Sequence, residues 1–217
     1  MIDFSKFTEK RSVFNQVKFK IKYYLLRRLL RGTVPVFMNP SDIITRFTIA
    51  YGRHERMVYE LIQFIANANH NEFMLDIGAN IGLTSLQTKG KFGSYFLVEP
   101  NPLIFPVLKT NIGIHLPDKD VKLYNIGLSD NDQVAELLIP KDNWGGAFVL
   151  EGNSYDEATL LSKDGKNSLS HENYLRHSIT LRATDEFIEE FISSVKSRGM
   201  DKGFIKIDVE GYEMKIL

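Results

Sequence analysis

Residues 73–82 read Phe-Met-Leu-Asp-Ile-Gly-Ala-Asn-Ile-Gly, and a second apolar run closes on Glu99. An apolar strand carries Asp76 at its end. A turn with Gly78 and Gly82 opens a helix, and an acid follows about 20 residues on. In an α/β sheet this pattern holds a nucleoside cofactor at the carboxyl ends of the strands. Glycines permit close backbone approach to a ligand, and a carboxylate accepts two hydrogen bonds from a ribose diol. The same residues also describe an ordinary βα turn followed by a solvated glutamate.

The glycine spacing narrows the ligand. A dinucleotide turn needs G-x-G-x-x-G, whose second glycine admits a pyrophosphate. Ala79 and Asn80 stand between Gly78 and the rest of the loop, which leaves Gly78-x-x-x-Gly82. That counts against NAD and leaves room for a nucleoside without phosphate, of which S-adenosylmethionine is one. On this reading Glu99 grips the ribose, and Asp76 with the 78–82 loop faces the methionine end.

A chain of 217 residues, 43% hydrophobic and 25% charged, suffices for one domain with a core of its own. The absence of cysteine excludes disulfides and thiolate metal sites. No apolar run approaches the length of a membrane span, and no signal peptide is evident, so the expectation is a cytoplasmic protein. The net charge of zero conceals a basic arm: residues 1–33 hold nine Lys/Arg against Asp3 and Glu9. Interleaved with Phe19, Tyr23, Tyr24, Leu29 and Leu30, residues 5–31 read as a helix. Such a helix either packs its apolar stripe on the domain or lies peripherally on an anionic membrane; nucleic acid is not the expected partner. The expected division is a basic helical extension over 1–52 and a domain over 53–217.

Along that domain the periodicity predicts a helix over 53–67, with Met57, Leu61, Phe64 and Ile65 on one side. Strands follow at 72–77 and 94–99. Asn101 and Pro102 are read as the cap and first residue of a helix. Further strands are expected at 121–126, 133–139, 147–151, 179–182 and 204–209, with a helix over 185–196. Residues 152–173 are polar and read as a mobile excursion. The order βαβαβ, an insert, then αβ predicts a doubly wound, mostly parallel sheet with the last strand beside the first. Asp76, Glu99, Asp130, Asp208 and Glu210 would then share its carboxyl edge.

Five segments together resemble the FkbM-like methyltransferases, a class I S-adenosylmethionine-dependent, Rossmann-like family. They are Asp76-Ile-Gly-Ala-Asn-Ile-Gly82, Glu99-Pro-Asn-Pro102, Gly127-Leu-Ser-Asp130, Asn143-Trp-Gly-Gly146 and Lys206-Ile-Asp-Val-Glu-Gly-Tyr-Glu213. The resemblance implies O-methylation of a sugar, glycan or small-metabolite hydroxyl, with polysaccharide biosynthesis among the usual settings. It implies cofactor contacts from Asp76, Gly78, Asn80 and Gly82, from Glu99 and Asn101, and from Ser129 and Asp130 near the adenine. It places Asp208 and Glu210 where donor and acceptor meet. A desolvated carboxylate there would serve as base, because burial raises its pKa.

No metal is expected, and the five histidines show no ligand spacing. Trp144 either stacks on a sugar ring or packs at a hairpin tip. The family continues beyond the Lys206–Glu213 segment, so the expectation is a C-terminally incomplete member with an open strand edge. Two further readings stay open: a nucleoside-binding remnant without catalysis, and a nicotinamide oxidoreductase.

Overall fold

The computed structural model describes residues 56–217 apart from Lys89, together with Thr45 and, near the N-terminus, Val17, Lys18, residues 20–22, Tyr24 and Leu25. Val17, Ile21, Tyr24 and Leu25 are helical and exposed. The rest of the helix expected over 5–31, its membrane contact, and the extended pieces expected over 34–52 lie outside the described residues.

Every residue of β1 (Phe73–Ile77) and β2 (Ser94–Val98) is buried, as a near-continuous apolar run demands when neighbours lie on both sides and both faces are covered. With β3 (Asp120–Tyr124) and the last strand, β8 (Gly203–Ile207), they form a parallel sheet in the order β3-β2-β1-β8. The last strand thus pairs with the first, as right-handed crossovers require. Among the described residues β8 is the sheet's outer edge, and its Ile205 is exposed.

Strand alternation divides the core between the two faces. Met74, Tyr95 and Leu97 pack with Ile62 of α1 (Arg56–Asn67) and with Leu108 and Ile112 of α3 (Phe105–His115). Phe73, Leu75, Ile77 and Phe96 face the other way, onto Phe187, Phe191 and Val195 of α5 (Thr184–Ser197). Phe191 meets Phe73 and Phe96 edge to face, at 5.3 and 5.0 Å between ring centroids. A doubly wound α/β sheet is therefore present. Between β1 and β2 runs the short α2 (Leu83–Gln87).

Three expectations change. In α1 the buried residues are Ile62 and Ala66, while Met57, Leu61 and Phe64 stay exposed. The apolar residues form two adjacent stripes, and only one faces the sheet. Asn101 does cap, but it caps a turn: its Oδ1 accepts from Leu103 N at 3.0 Å, and α3 starts only at Phe105, with Pro106 in its first turn.

The largest change concerns the insert. Residues 127–183 build a second four-stranded sheet, ordered β4-β7-β5-β6. Its members are β4 (Gly127–Ser129), β5 (Gln133–Pro140), β6 (Phe148–Val149) and β7 (Tyr174–Ala183). β5 and β7 run antiparallel over eight paired positions, from Gln133↔Leu181 to Pro140↔Tyr174. Inside the supposed excursion lies α4 (Glu157–Asp164), capped by Asp156, which accepts from Thr159 N at 2.7 Å. Gly165 ends it in the left-handed conformation, and Leu160 anchors it against Leu138, Phe148 and Tyr174.

Candidate active site

The carboxyl ends of β1, β2 and β8 open into a cavity of about 300 Å³, closed from the far side by the second sheet. Its sheet-side wall is the 77–81 loop with Glu99, Pro100 and Asn101. Its far wall includes Leu137, Trp144, Phe148, Val149, Lys163 and Leu181.

The glycine loop is saturated by the chain itself. Gly78 N and Ala79 N both donate to Val98 O at 3.0 Å, and Gly82 N donates to Ala79 O at 2.9 Å. Asn80 N donates to Glu99 Oε2 and Ile81 N to Asn80 Oδ1, each at 2.8 Å. No backbone N–H from 78 to 82 is left to cradle a phosphate. The glycines serve packing. Gly78 sits at φ +80°, and a Cβ there would collide with the carbonyl oxygen of Asp208. Gly82, at φ +89°, faces Leu108 Cδ1 and lies outside the cavity wall. The close approach that these glycines permit is to the chain's own elements.

Glu99 is the pivot. Its carboxylate is 7% exposed, taking Asn80 N on Oε2 and Asn101 N on Oε1, each at 2.8 Å. Burial pushes its pKa up to about 7, against the two backbone donors. Each oxygen keeps a second acceptor position, and the group lines the cavity. The Asn80 and Asn101 amides are otherwise engaged. Asn80 Nδ2 donates to Gly145 O at 3.3 Å, and Asn101 Nδ2 to Trp144 O at 3.0 Å. These bonds fasten the Trp144–Gly146 turn over the cavity, where Trp144 packs beside Ile81, Leu83 and Ile104.

Asp76 is fully buried beneath the loop, outside the cavity wall, with Ser85 Oγ donating to its Oδ2 at 2.9 Å. Lys206, its register partner on β8, reaches its Oδ1 at 3.4 Å and Asp208 Oδ2 at 3.2 Å. Lys206 therefore lines the cavity between two carboxylates. Asp208 and Glu210 both line it, although β8 has already ended at Ile207. Glu210 takes φ +56° and pairs with Lys163. Burial raises its pKa, and the ammonium of Lys163 works against that rise.

Ser129 and Asp130 are not brought to the cavity. Pairing of Gly127–Ser129 with Leu181–Ala183 draws this segment into the second sheet. Ser129 is buried there and bonds to Asp130 Oδ1, while Asp130 is held below the usual carboxylate range chiefly by its bond from Lys215. Gly127 and Leu128 line the cavity instead. Neither His171 nor His177 does. Lys206 and Lys163 are the functional groups that sequence reading missed. Lys206 had a signal, since it lies two residues before Asp208 on the strand expected beside Asp76. Lys163 had none, because its helix was not expected.

An open parallel sheet with a cavity at its carboxyl edge and a buried acid after the second strand defines a doubly wound, Rossmann-like α/β fold. The family described as "Methyltransferase FkbM domain" matches residues 76–217, and the chain belongs to that family. Methyltransferase sdnD of Sordaria araneosa is 28% identical over 162 residues, covering 70% of this chain and 62% of that protein. The chain thus spans somewhat under two thirds of that relative's length.

Two solved structures are similar in outline. Magnesium protoporphyrin IX methyltransferase (ChlM) from Synechocystis PCC 6803 with bound SAM is 14% identical, with 81% of this chain and 100% of that one covered and a TM-score of 0.33. An uncharacterized protein from Burkholderia thailandensis is 12% identical, with 78% and 50% covered and a TM-score of 0.27.

Proposed function

We propose that this methyltransferase uses S-adenosylmethionine and methylates a hydroxyl oxygen of a sugar, glycan or small metabolite. The observation that carries the cofactor is Glu99: a buried carboxylate on the cavity wall, held by two backbone N–H groups, with an acceptor position spare on each oxygen. A ribose diol supplies the two donors that such a group lacks. The saturated 78–82 loop favours a ligand without phosphate there, which disfavours a nicotinamide dinucleotide. The charged groups on the wall, Glu99, Asp208 and Glu210 against Lys163 and Lys206, lean negative, as suits a cationic ligand.

When bound, the cofactor supplies a methyl carbon whose bond to cationic sulfur breaks, with the electron pair left on sulfur, as a bond to the acceptor oxygen forms. The chain's part is to hold the acceptor in line, exclude water and take the hydroxyl proton. Asp208 and Glu210, which line the cavity, are the carboxylates proposed to take it. Leu137, Phe148, Val149 and Leu181 supply an apolar wall around that chemistry.

Calorimetric titration of the chain with S-adenosylmethionine tests the proposal. Micromolar binding is expected. Glu99→Ala, checked for folding by circular dichroism, weakens it about 100-fold, the worth of two hydrogen bonds to a charged group. A folded wild-type chain that does not bind the cofactor overturns the reading.

A further inference from the structure

Between the second sheet and the end of β8 lies an arrangement that cofactor binding does not call for. The carbonyl of Glu210 accepts from Asn153 Nδ2 at 3.0 Å, and the same amide donates to Val149 O at 2.8 Å. The next carbonyl, Gly211 O, accepts twice from Ser154, from its N at 2.8 Å and its Oγ at 2.7 Å. Gly211 is at φ +86°, and a Cβ there would collide with Asn153 Oδ1 and the Tyr155 ring. Above the clamp, Lys163 of α4 pairs with the Glu210 carboxylate, each side chain about a third exposed.

Glu210 itself is at φ +56°, a conformation that costs a residue with an ordinary side chain on the order of 1 kcal/mol. Such a conformation persists only where the surroundings over-determine it. Here the surroundings are one continuous stretch of the insert, residues 149–163. An extended continuation of β8 would alternate its side chains between faces and would not need this clamp.

We infer that residues 153–163 position Glu210 as the acceptor-side base, with Asn153 clamping its carbonyl, Ser154 clamping the next one at Gly211, and Lys163 holding its carboxylate at the cavity. The inference rests on the methyl-transfer reading and goes beyond it, because it divides the work between the two carboxylates. Asp208, half-exposed and tied to Lys206, is held by the parallel sheet. Glu210 is aimed by the insert, the part of the chain that also builds the cavity's far wall. The proton leaving the acceptor hydroxyl ends on Glu210, which becomes neutral, and its ion pair with Lys163 is released with it.

The charged groups facing Glu210 are Lys163 and Asp164 from α4 and Asp208 from its own loop. Burial and the two acids raise its pKa, and Lys163 opposes them. The test is a pH titration of the full chain carrying ¹³C-carboxyl glutamate, with the Glu210 resonance identified by its loss in Glu210→Gln. In the wild type the midpoint lies above that of an exposed glutamate. Lys163→Met moves it up by about 1 pH unit, and Lys163→Arg restores it. Asn153→Ala and the milder Ser154→Ala move it the other way, toward the exposed value, as the carboxyl group swings into water.

Opposite shifts from the two kinds of variant are the signature of positioning, since general loosening would lower the midpoint in both. A Glu210 that titrates like an exposed glutamate in the wild type, or a midpoint that none of these variants moves, overturns the inference. Calorimetry with S-adenosylmethionine on the same proteins separates the two readings. Absence of wild-type binding sinks the cofactor proposal, while the titration still decides the role of the clamp.

Discussion

The two walls of the cavity are built on different principles. On the sheet side, the 77–81 loop, Glu99 and Asn101 are tied into a closed set of bonds between the ends of β1 and β2: every N–H from 78 to 82 has a partner in the chain, and Glu99, the buried acid of this wall, is already held twice. On the far side, the second sheet offers apolar side chains, a tryptophan turn fastened by two asparagine amides, and a single lysine. On the function proposed above, the first wall would take hydroxyl donors through one carboxylate. The second is assembled by contacts spanning tens of residues. On that same proposal, cofactor binding and acceptor choice would fall to separate parts of the chain.

The comparison breaks most violently at Gly78. Gly78→Ala forces a side chain into the Asp208 carbonyl at a φ of +80°, and a loss of at least about 4 kcal/mol, or no folded protein, is expected in urea denaturation. A stable Gly78→Ala would show that the β1 and β8 ends are not locked together.

The far wall yields next. Leu160→Ala empties a fully buried site on α4 and is expected to cost about 3 kcal/mol. Its test is the split between properties. Denaturation should register the loss, whereas S-adenosylmethionine affinity should stay within about twofold, because Leu160 packs on Leu138, Phe148 and Tyr174 and away from Glu99. Equal damage to both would mean that the walls do not act separately.

A third prediction concerns Glu99 and pH. Its folded pKa of about 7 lies above the ordinary glutamate value of 4.5, so the native state holds more protons across that interval. The contribution to stability is full below about pH 4.5 and is lost as pH rises through about 7, on the order of 2–3 kcal/mol. Glu99→Gln, which cannot titrate, should lack this part of the pH dependence when unfolding free energies are compared at pH 5 and pH 8. By the same linkage, S-adenosylmethionine should bind more tightly to the wild type as pH rises through 7, since the ionised carboxylate is the better acceptor. A wild type and variant with parallel pH profiles would remove Glu99 from the pivot of the sheet-side wall.

The smallest expected effect is at the join of the two walls. Asn101→Ala removes the bond to Trp144 O and the cap on Leu103 N, at a cost of about 1–2 kcal/mol. Faster amide exchange in the Trp144–Gly146 turn, with the β1 and β2 amides unchanged, would confirm that the amide fastens the turn. Unchanged exchange throughout would mean that the turn is held by the packing of Trp144 alone.

Much of the sheet-side wall was legible in the sequence. Five-residue apolar runs closed by Gly78 or by Glu99 announce buried parallel strands, and the order of elements places β8 beside β1. The missing second glycine pointed away from phosphate, and the structure supplies a direct reason in the loop's own bonding. What could not be read was the purpose of the glycines, which answer to the Asp208 carbonyl and to Leu108. Nor could the placement of Ser129 and Asp130, which pairing with β7 carries away from the cavity. In the insert, α4 was hidden because a polar helix with one anchoring leucine has almost no periodic signal. β7 was seen only over 179–182, because its first half runs through three consecutive polar residues, Arg176, His177 and Ser178.

Taken alone, the sequence determined the doubly wound sheet and the family. These depend on local periods, on turn chemistry and on the handedness of crossovers, which act over a few residues or follow from element order. Only the tertiary structure decided which acids share the cavity, what holds each one, and that Asn153 and Lys163 meet Glu210 while Ser154 meets Gly211. Partners separated by 47 to 57 positions leave no mark on local pattern. Their meeting is set by how the second sheet docks on the first, and only the packed chain contains that information.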